Sequence, residues 1–183
     1  MSQTRNARWD NIKLVLIVFV VLGHICMEYS SSDPSLKALR LWIYLFHVPA
    51  FMYISGLFSK RAIREKRWSR AVSFLMLFIF MTVVRFIVDA SVHGIKKASM
   101  EFVNVKGVPW FALALFWFFL VSMLIDKVHP AYILAVSFAL GLIVGYTKLL
   151  NTFALQKTIV YFPFFYLGYL SDVEKIDAFL NKI

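Results

Sequence analysis

Polar residues are sparse along this chain and gather in short clusters, with six apolar runs between them. A helix that crosses a bilayer needs about 20 mostly apolar residues, or about 17 at the short end. Residues 42–58 carry no formal charge, although they hold His47 and Pro49. Residues 108–125 are uncharged and form the clearest span. Residues 131–146 are uncharged and slightly short, and residues 72–88 are interrupted by Arg85 alone. Two runs are weaker. Residues 14–27 are apolar apart from His24, and reach spanning length when Ile12, Lys13, Glu28 and Tyr29 are added. Residues 158–170 are short and contain Pro163. The pattern predicts an all-α, polytopic transmembrane helical bundle of about six spans, in one integral-membrane domain over residues 1–183. The first run also follows basic residues and precedes Ser30, Ser31 and Ser32, as a signal peptide would. It lacks a clear small-x-small cleavage site, so a retained helix is the preferred reading.

Composition agrees with that pattern. Of 183 residues, 61% are hydrophobic and 16% charged, whereas a soluble domain is about half apolar and a quarter charged. With 19 Phe, the chain is also unlike a disordered one, which is poor in aromatics. Cys26 is the single cysteine and has no partner for an internal disulfide. The net charge of +10 raises nucleic acid as a partner. In so apolar a chain it is better explained by a bilayer, with Lys and Arg collected on the cytoplasmic side. With the N-terminus inside, twelve Lys and Arg fall in cytoplasmic segments and seven outside, Arg85 lying within a span. The expected setting is a bacterial inner membrane with both termini cytoplasmic.

Ionisable residues at membrane depth are costly and face a bundle interior or a wet cavity. His24 is one. The plain reading is a packing histidine, but its neighbours argue for more. Lys13 is eleven residues earlier, about 16 Å or three turns away on the same face. Asp10 joins that face at i−3 from Lys13, and Glu28 at i+4 from His24. Such a stripe fits a water-filled path, against the plainer reading of Lys13 as a snorkelling interfacial lysine. His47 sits next to Val48-Pro49, where the missing N–H of proline predicts a kink. Ser55-Gly56 lets another helix approach. Arg85 is deep enough to need a polar partner or a cavity. Between the second and third runs, Arg61, Arg64, Arg67 and Arg70 recur every third residue. Lys60, Glu65 and Lys66 make that loop too polar for a voltage sensor. It is either a positive-inside loop on anionic lipid or a cytoplasmic phosphate site built on guanidinium forks. Gly141 and Gly145 read as a packing GxxxG. No cluster has metal-ligand spacing, and no glycine-rich phosphate loop occurs.

Five segments in order carry a resemblance. Arg5-Asn-Ala-Arg-Trp-Asp-Asn-Ile-Lys13 running into Val20-Val-Leu-Gly-His24 resembles the opening of the membrane acyltransferase-3 family. The branch it most resembles holds the fucose 4-O-acetylases and related acetyltransferases. Phe46-His-Val-Pro-Ala-Phe-Met-Tyr-Ile-Ser-Gly56, Arg67-Trp-Ser-Arg70, Pro109-Trp-Phe-Ala-Leu-Ala-Leu115 and Phe162-Pro-Phe-Phe-Tyr-Leu-Gly-Tyr169 are similar to further elements of that family. Each is degenerate alone; their order across almost the whole chain is fairly specific.

The resemblance implies a membrane enzyme that moves an acyl group, typically acetyl, from a cytoplasmic donor to a hydroxyl, often of a sugar in a surface glycan. Acetyl-CoA is then a substrate, and no bound cofactor is expected. Carried over, His24 takes the place of the histidine in the family's R-x10-H motif, with Lys13 where the family has arginine. Arg67 and Arg70 match the R-x-x-R pair implicated in donor binding, with Arg64 beside them, and Trp110 matches the family's tryptophan. In such chemistry His24 is the expected base that removes the acceptor hydroxyl's proton as the oxygen attacks the thioester, or it forms a transient acyl-histidine. The family's bundle continues with several helices after the Phe162–Tyr169 element, whereas this sequence stops at Ile183. The expectation is a chain that needs its missing C-terminal half, or self-association, to cover its polar face and work. The alternative is a non-catalytic membrane protein, or a transport or assembly subunit, derived from that family.

The charge count makes the orientation testable. Reporter fusions near Arg64 are expected to report a cytoplasmic location, and fusions near Lys96 the opposite side.

Overall fold

The computed structural model describes residues 7–29, 33–105, 107–147 and 152–182, except for the side chain of Glu28. Among these residues there is no strand. The helices are α1 (Ala7–Tyr29), α2 (Pro34–Arg64), α3 (Trp68–His93), α4 (Trp110–Leu124), α5 (Pro130–Gly145), α6 (Leu155–Leu170) and α7 (Val173–Leu180). A single 3-10 turn, Thr152–Ala154, precedes α6.

Local chemistry sets their starts. Asp33 caps α2 by accepting from the Ser35 N–H at 2.7 Å, with Pro34 in the first turn. His129 Nδ1 accepts from the Ala131 N–H at 3.3 Å ahead of Pro130. Asp172 caps α7 by accepting from the Glu174 N–H at 3.2 Å. At the far end of α3, Gly94 takes a φ of 86° that a side chain would resist.

The six apolar runs fall one to each helix from α1 to α6. Ala7–Met27, α2 and α3 are long and apolar enough to cross a membrane. Helices α4 and α5 are apolar but have only 15 and 16 residues, which at 1.5 Å each give about 22–24 Å against a hydrocarbon core of about 30 Å. The outward faces of α1 and α3 carry Leu14, Val18, Val21, Met76, Phe80 and Ile87, all exposed. A surface this apolar suits lipid rather than water.

Two sequence expectations change. The basic segment after the second run is not a loop. Ser59–Arg64 completes α2, Trp68–Arg70 begins α3, and Glu65–Arg67 alone forms the turn. Lys and Arg are good helix formers, and Arg61 is closed onto Glu65 one turn later at 2.7 Å. Helix α7, which the apolar pattern did not reveal, folds back on the start of α1. There Trp9 Nε1 donates to Asp177 at 3.4 Å and Arg8 to Asn181 at 2.7 Å. Pro49 lies inside α2, which continues through it as one helix.

The core is aromatic and lies between α2, α4 and α6. Met52, Ala114, Phe118 and Phe165 have no exposed surface, and Phe118 and Phe165 have ring centroids 4.9 Å apart. The tightest contact is between backbones. A Cβ on Gly56 would collide with the Phe165 carbonyl oxygen, and a Cβ on Gly168 with the Tyr53 carbonyl oxygen. Either collision involves backbone and cannot be relieved by a rotamer change. Gly56→Ala and Gly168→Ala are each expected to destabilise the bundle by about 1–3 kcal/mol or more, as overpacking does. The check is thermal unfolding in detergent. Gly145→Ala serves as control, because a Cβ there meets Val160 at an ordinary 3.6 Å.

Candidate functional site

Helix α1 packs along α2, and α3 along α4, while α2 and α4 meet each other and α6. Helices α1 and α3 thus wall a cleft whose floor is α2 and α4. A cavity of about 410 Å³ lies in it, lined by Ile17, Val20 and His24 from α1, Tyr44, His47, Val48 and Phe51 from α2, Leu77 and Met81 from α3, and residues 108–112. His24, His47 and Trp110, which stand in three separate sequence motifs, therefore share one lining.

Gly23 makes this possible. A Cβ there would sit 2.9 Å from Tyr44 Cε2 and 3.4 Å from Ile43 Cγ2, so the glycine beside His24 lets α1 close onto α2. His47 is 4% exposed. The Ile43 carbonyl accepts from its Nδ1 at 2.7 Å, and the Tyr44 ring stands edge-on at 4.8 Å. His24 is exposed on the cavity side of α1. Trp110 stacks on Tyr161 at 5.7 Å, and Lys157 Nζ lies 4.9 Å from its ring centroid.

On α1, Ile17 and Val20 stand between Lys13 and His24 on the face that lines the cleft. Lys13 pairs with Asp10 at 3.9 Å and stands 4.0 Å from the centroid of Phe58. Both sit toward the start of α1, about 16 Å from His24 along the axis. The side chain of Glu28 lies outside the described residues. Arg85 on α3 pairs with Glu101 at 3.3 Å, a carboxylate supplied by the segment after α3. Residues 99–105 with Ala154, Gln156 and Lys157 line a second, larger cavity of about 840 Å³ at the same end of the bundle.

The arginines gather at the opposite end, where α2 ends and α3 begins. Arg67 reaches Glu65 at 2.5 Å, and the same carboxylate holds Arg61. Arg64 and Arg70 are exposed and form no ion pair with another described residue. Lys66 spans to Asp126 after α4 at 3.4 Å, and Lys60 to Asp172 before α7 at 3.7 Å. Hydrogen bonding from Arg61, with help from Arg67, holds the Glu65 carboxyl below its ordinary range. A lowered pKa means that the clamp is present at neutral pH and is lost as pH falls through the lowered value.

Chemically, the chain offers histidines in an apolar cleft at one level and guanidiniums at the basic end. No group of three or more His, Cys, Asp or Glu able to hold a metal occurs among the described residues. Sequence reasoning missed Gly23, Tyr44 and Glu65. The first two were legible as the small residue beside His24 and the ring at i−3 from His47. Glu65 was legible only as the i+4 partner of Arg61.

Over residues 6–171 the chain matches the family described as acyltransferase domain. It is 29% identical over 190 residues to the nodulation protein NolL of Sinorhizobium fredii, covering 92% of this chain and 49% of the relative. With NolL of Mesorhizobium japonicum it is 27% identical over 187 residues, covering 92% and 48%. The chain thus spans about half the length of the curated relatives it matches. No solved structure matches it.

Glu65 competes for the guanidiniums that an anion would use. Glu65→Gln is expected to tighten binding of pyrophosphate at this turn a few-fold at low salt. Titration calorimetry of the detergent-solubilised protein measures it, with the gain shrinking as salt screens the site.

Proposed function

The chain belongs to the acyltransferase domain family, and from that premise we propose that it is an integral membrane O-acetyltransferase of the bacterial inner membrane. In this reading it crosses the bilayer six times with both termini in the cytoplasm. It moves acetyl from cytoplasmic acetyl-CoA to a hydroxyl of a sugar or surface glycan. One arrangement carries the reading: a histidine-lined cleft opens between α1 and α3, and the turn that joins α2 to α3 puts arginines at the basic end of the same walls.

Coenzyme A presents phosphates at one end of a long arm and its thiol at the other. Arg67, Arg70 and Arg64 take the phosphates as forks, with Lys13 adding charge on the opposite wall. Along α2, Arg64 and His47 are about 25 Å apart, so the arm runs up the cleft and delivers the thioester near His24. The acceptor approaches from the far end, where the second cavity lies against Lys157 and Trp110 is within its reach. The acceptor oxygen attacks the thioester carbon, its proton passes to a cleft histidine, the C–S bond breaks, and the thiolate leaves with the electron pair. His24 carries proton transfer here, in a cleft whose apolar walls exclude competing water.

The test compares variants in membranes from cells expressing the native gene. Arg67→Ala with Arg70→Ala is expected to raise the apparent KM for acetyl-CoA and leave that for the acceptor unchanged. His24→Ala is expected to lower turnover about a hundredfold to ten-thousandfold in a protein that still inserts. A change confined to the acceptor, or near-normal turnover without His24, would overturn the reading.

A further inference from the structure

His47 is the most constrained polar side chain in the cleft. It is 4% exposed, and its Nδ1 lies 2.7 Å from the Ile43 carbonyl oxygen. A carbonyl only accepts, so Nδ1 carries the hydrogen and the neutral ring presents a lone pair at Nε2. No described residue donates to that nitrogen, while the side chain lines the cavity. As a lining group this nitrogen is an acceptor open to the cavity, and a substrate hydroxyl is the complementary donor. The tautomer is therefore fixed by the fold before any substrate arrives.

His24 is the converse. It is exposed, and no described residue bonds to either ring nitrogen. Among the described residues, the titratable groups that line the cavity are His24 from α1, and Tyr44 and His47 from α2. Helix α3 contributes Leu77 and Met81, and residues 108–112 contribute apolar and aromatic groups. Among the described residues no carboxylate, lysine or arginine is in the lining.

Resting on the reading above, we propose that the two histidines divide the acid–base work. His47 Nε2 takes the proton from the acceptor hydroxyl as the C–O bond forms. His24, entering the cycle protonated, gives its proton to the sulfur as the C–S bond breaks. The cycle leaves His47 protonated and His24 neutral, and a proton passing between them across the cavity resets the pair. No oxidant or further reactant is needed.

Leaving groups separate the roles. S-(4-nitrophenyl) thioacetate releases a thiolate that needs no proton, whereas the coenzyme A thiolate is far more basic. Transfer of radiolabelled acetyl into the glycan fraction is measured with both donors for the native protein, His24→Asn, His47→Asn and His47→Gln. Asn at position 47 keeps a donor for the Ile43 carbonyl, Gln keeps the bulk, and insertion of each variant is checked by detergent chromatography. With acetyl-CoA, both His24→Asn and His47→Asn are expected to fall about a hundredfold or more. With the activated thioester, His24→Asn recovers to within about tenfold of native and both His47 variants stay low, with the acid limb of the pH–rate profile gone. Imidazole added to His47→Ala restores part of the rate, which a packing role would not permit. Near-native turnover of either His47 variant, equal loss of the His24 and His47 variants on both donors, or recovery of His47→Asn alone overturns the division while leaving the reading intact. A native protein that transfers acetyl from neither donor overturns the reading, and the proposal with it.

Discussion

Two backbones meet where Gly56 faces Phe165 and Gly168 faces Tyr53. No side chain separates α2 from α6 at this crossing, and the other helices take their places from it. Helix α1 lies along α2, α5 lies along α6, and α4 fits into the angle between α2 and α6. In a membrane, helices gain little by hiding apolar surface from lipid that is equally apolar, so close packing and small residues do most of the joining. The aromatic block of Phe118, Phe119 and Phe165 is then held at one depth beside the crossing.

That solid block explains where the chemistry can be. Around Phe118 and Phe165 the space between α2, α4 and α6 is filled; these helices leave a cavity of about 340 Å³ only at their basic end, beside Arg64 and Tyr169, and the histidine-lined space lies where α1 and α3 stand as walls. Each wall has one main helix partner in the contacts that hold the bundle and is otherwise apolar and outward-facing. A cleft made this way has a stiff floor and lightly held sides. The floor carries His47 with its ring already oriented; one wall carries His24, whose ring bonds to no described residue.

Much of this arrangement could be read from residue order. The six apolar runs located six helices, and the motif histidines and tryptophan identified groups that the fold gathers into one lining. What escaped was set by contacts rather than by pattern. The arginine segment looks like a polar loop by composition, yet Glu65 sits one turn after Arg61 and helix continues almost to the turn. Asp10, Lys13 and His24 share a helical face, but Lys13 is drawn to Asp10 and the ring of Phe58, and periodicity cannot see that competition. Helix α7 has eight residues and needs the first turn of α1 to lie against, so no local signal announces it. The site is legible as a set of residues and illegible as a cleft, because its walls depend on which helix each wall leans on.

The contact between α1 and α7 has a consequence for how the molecule is made. Arg8 and Trp9 are joined to Asn181 and Asp177 across more than 160 residues of sequence. On the ribosome the first helix emerges long before its clamp exists. Until Val173–Leu180 has been synthesised, α2 is the main helix partner of α1 among the described residues. The wall that bears His24 is thus made before α2 to α7 and gains its second contact only with α7, so assembly of the cleft is timed by α7 rather than by α1.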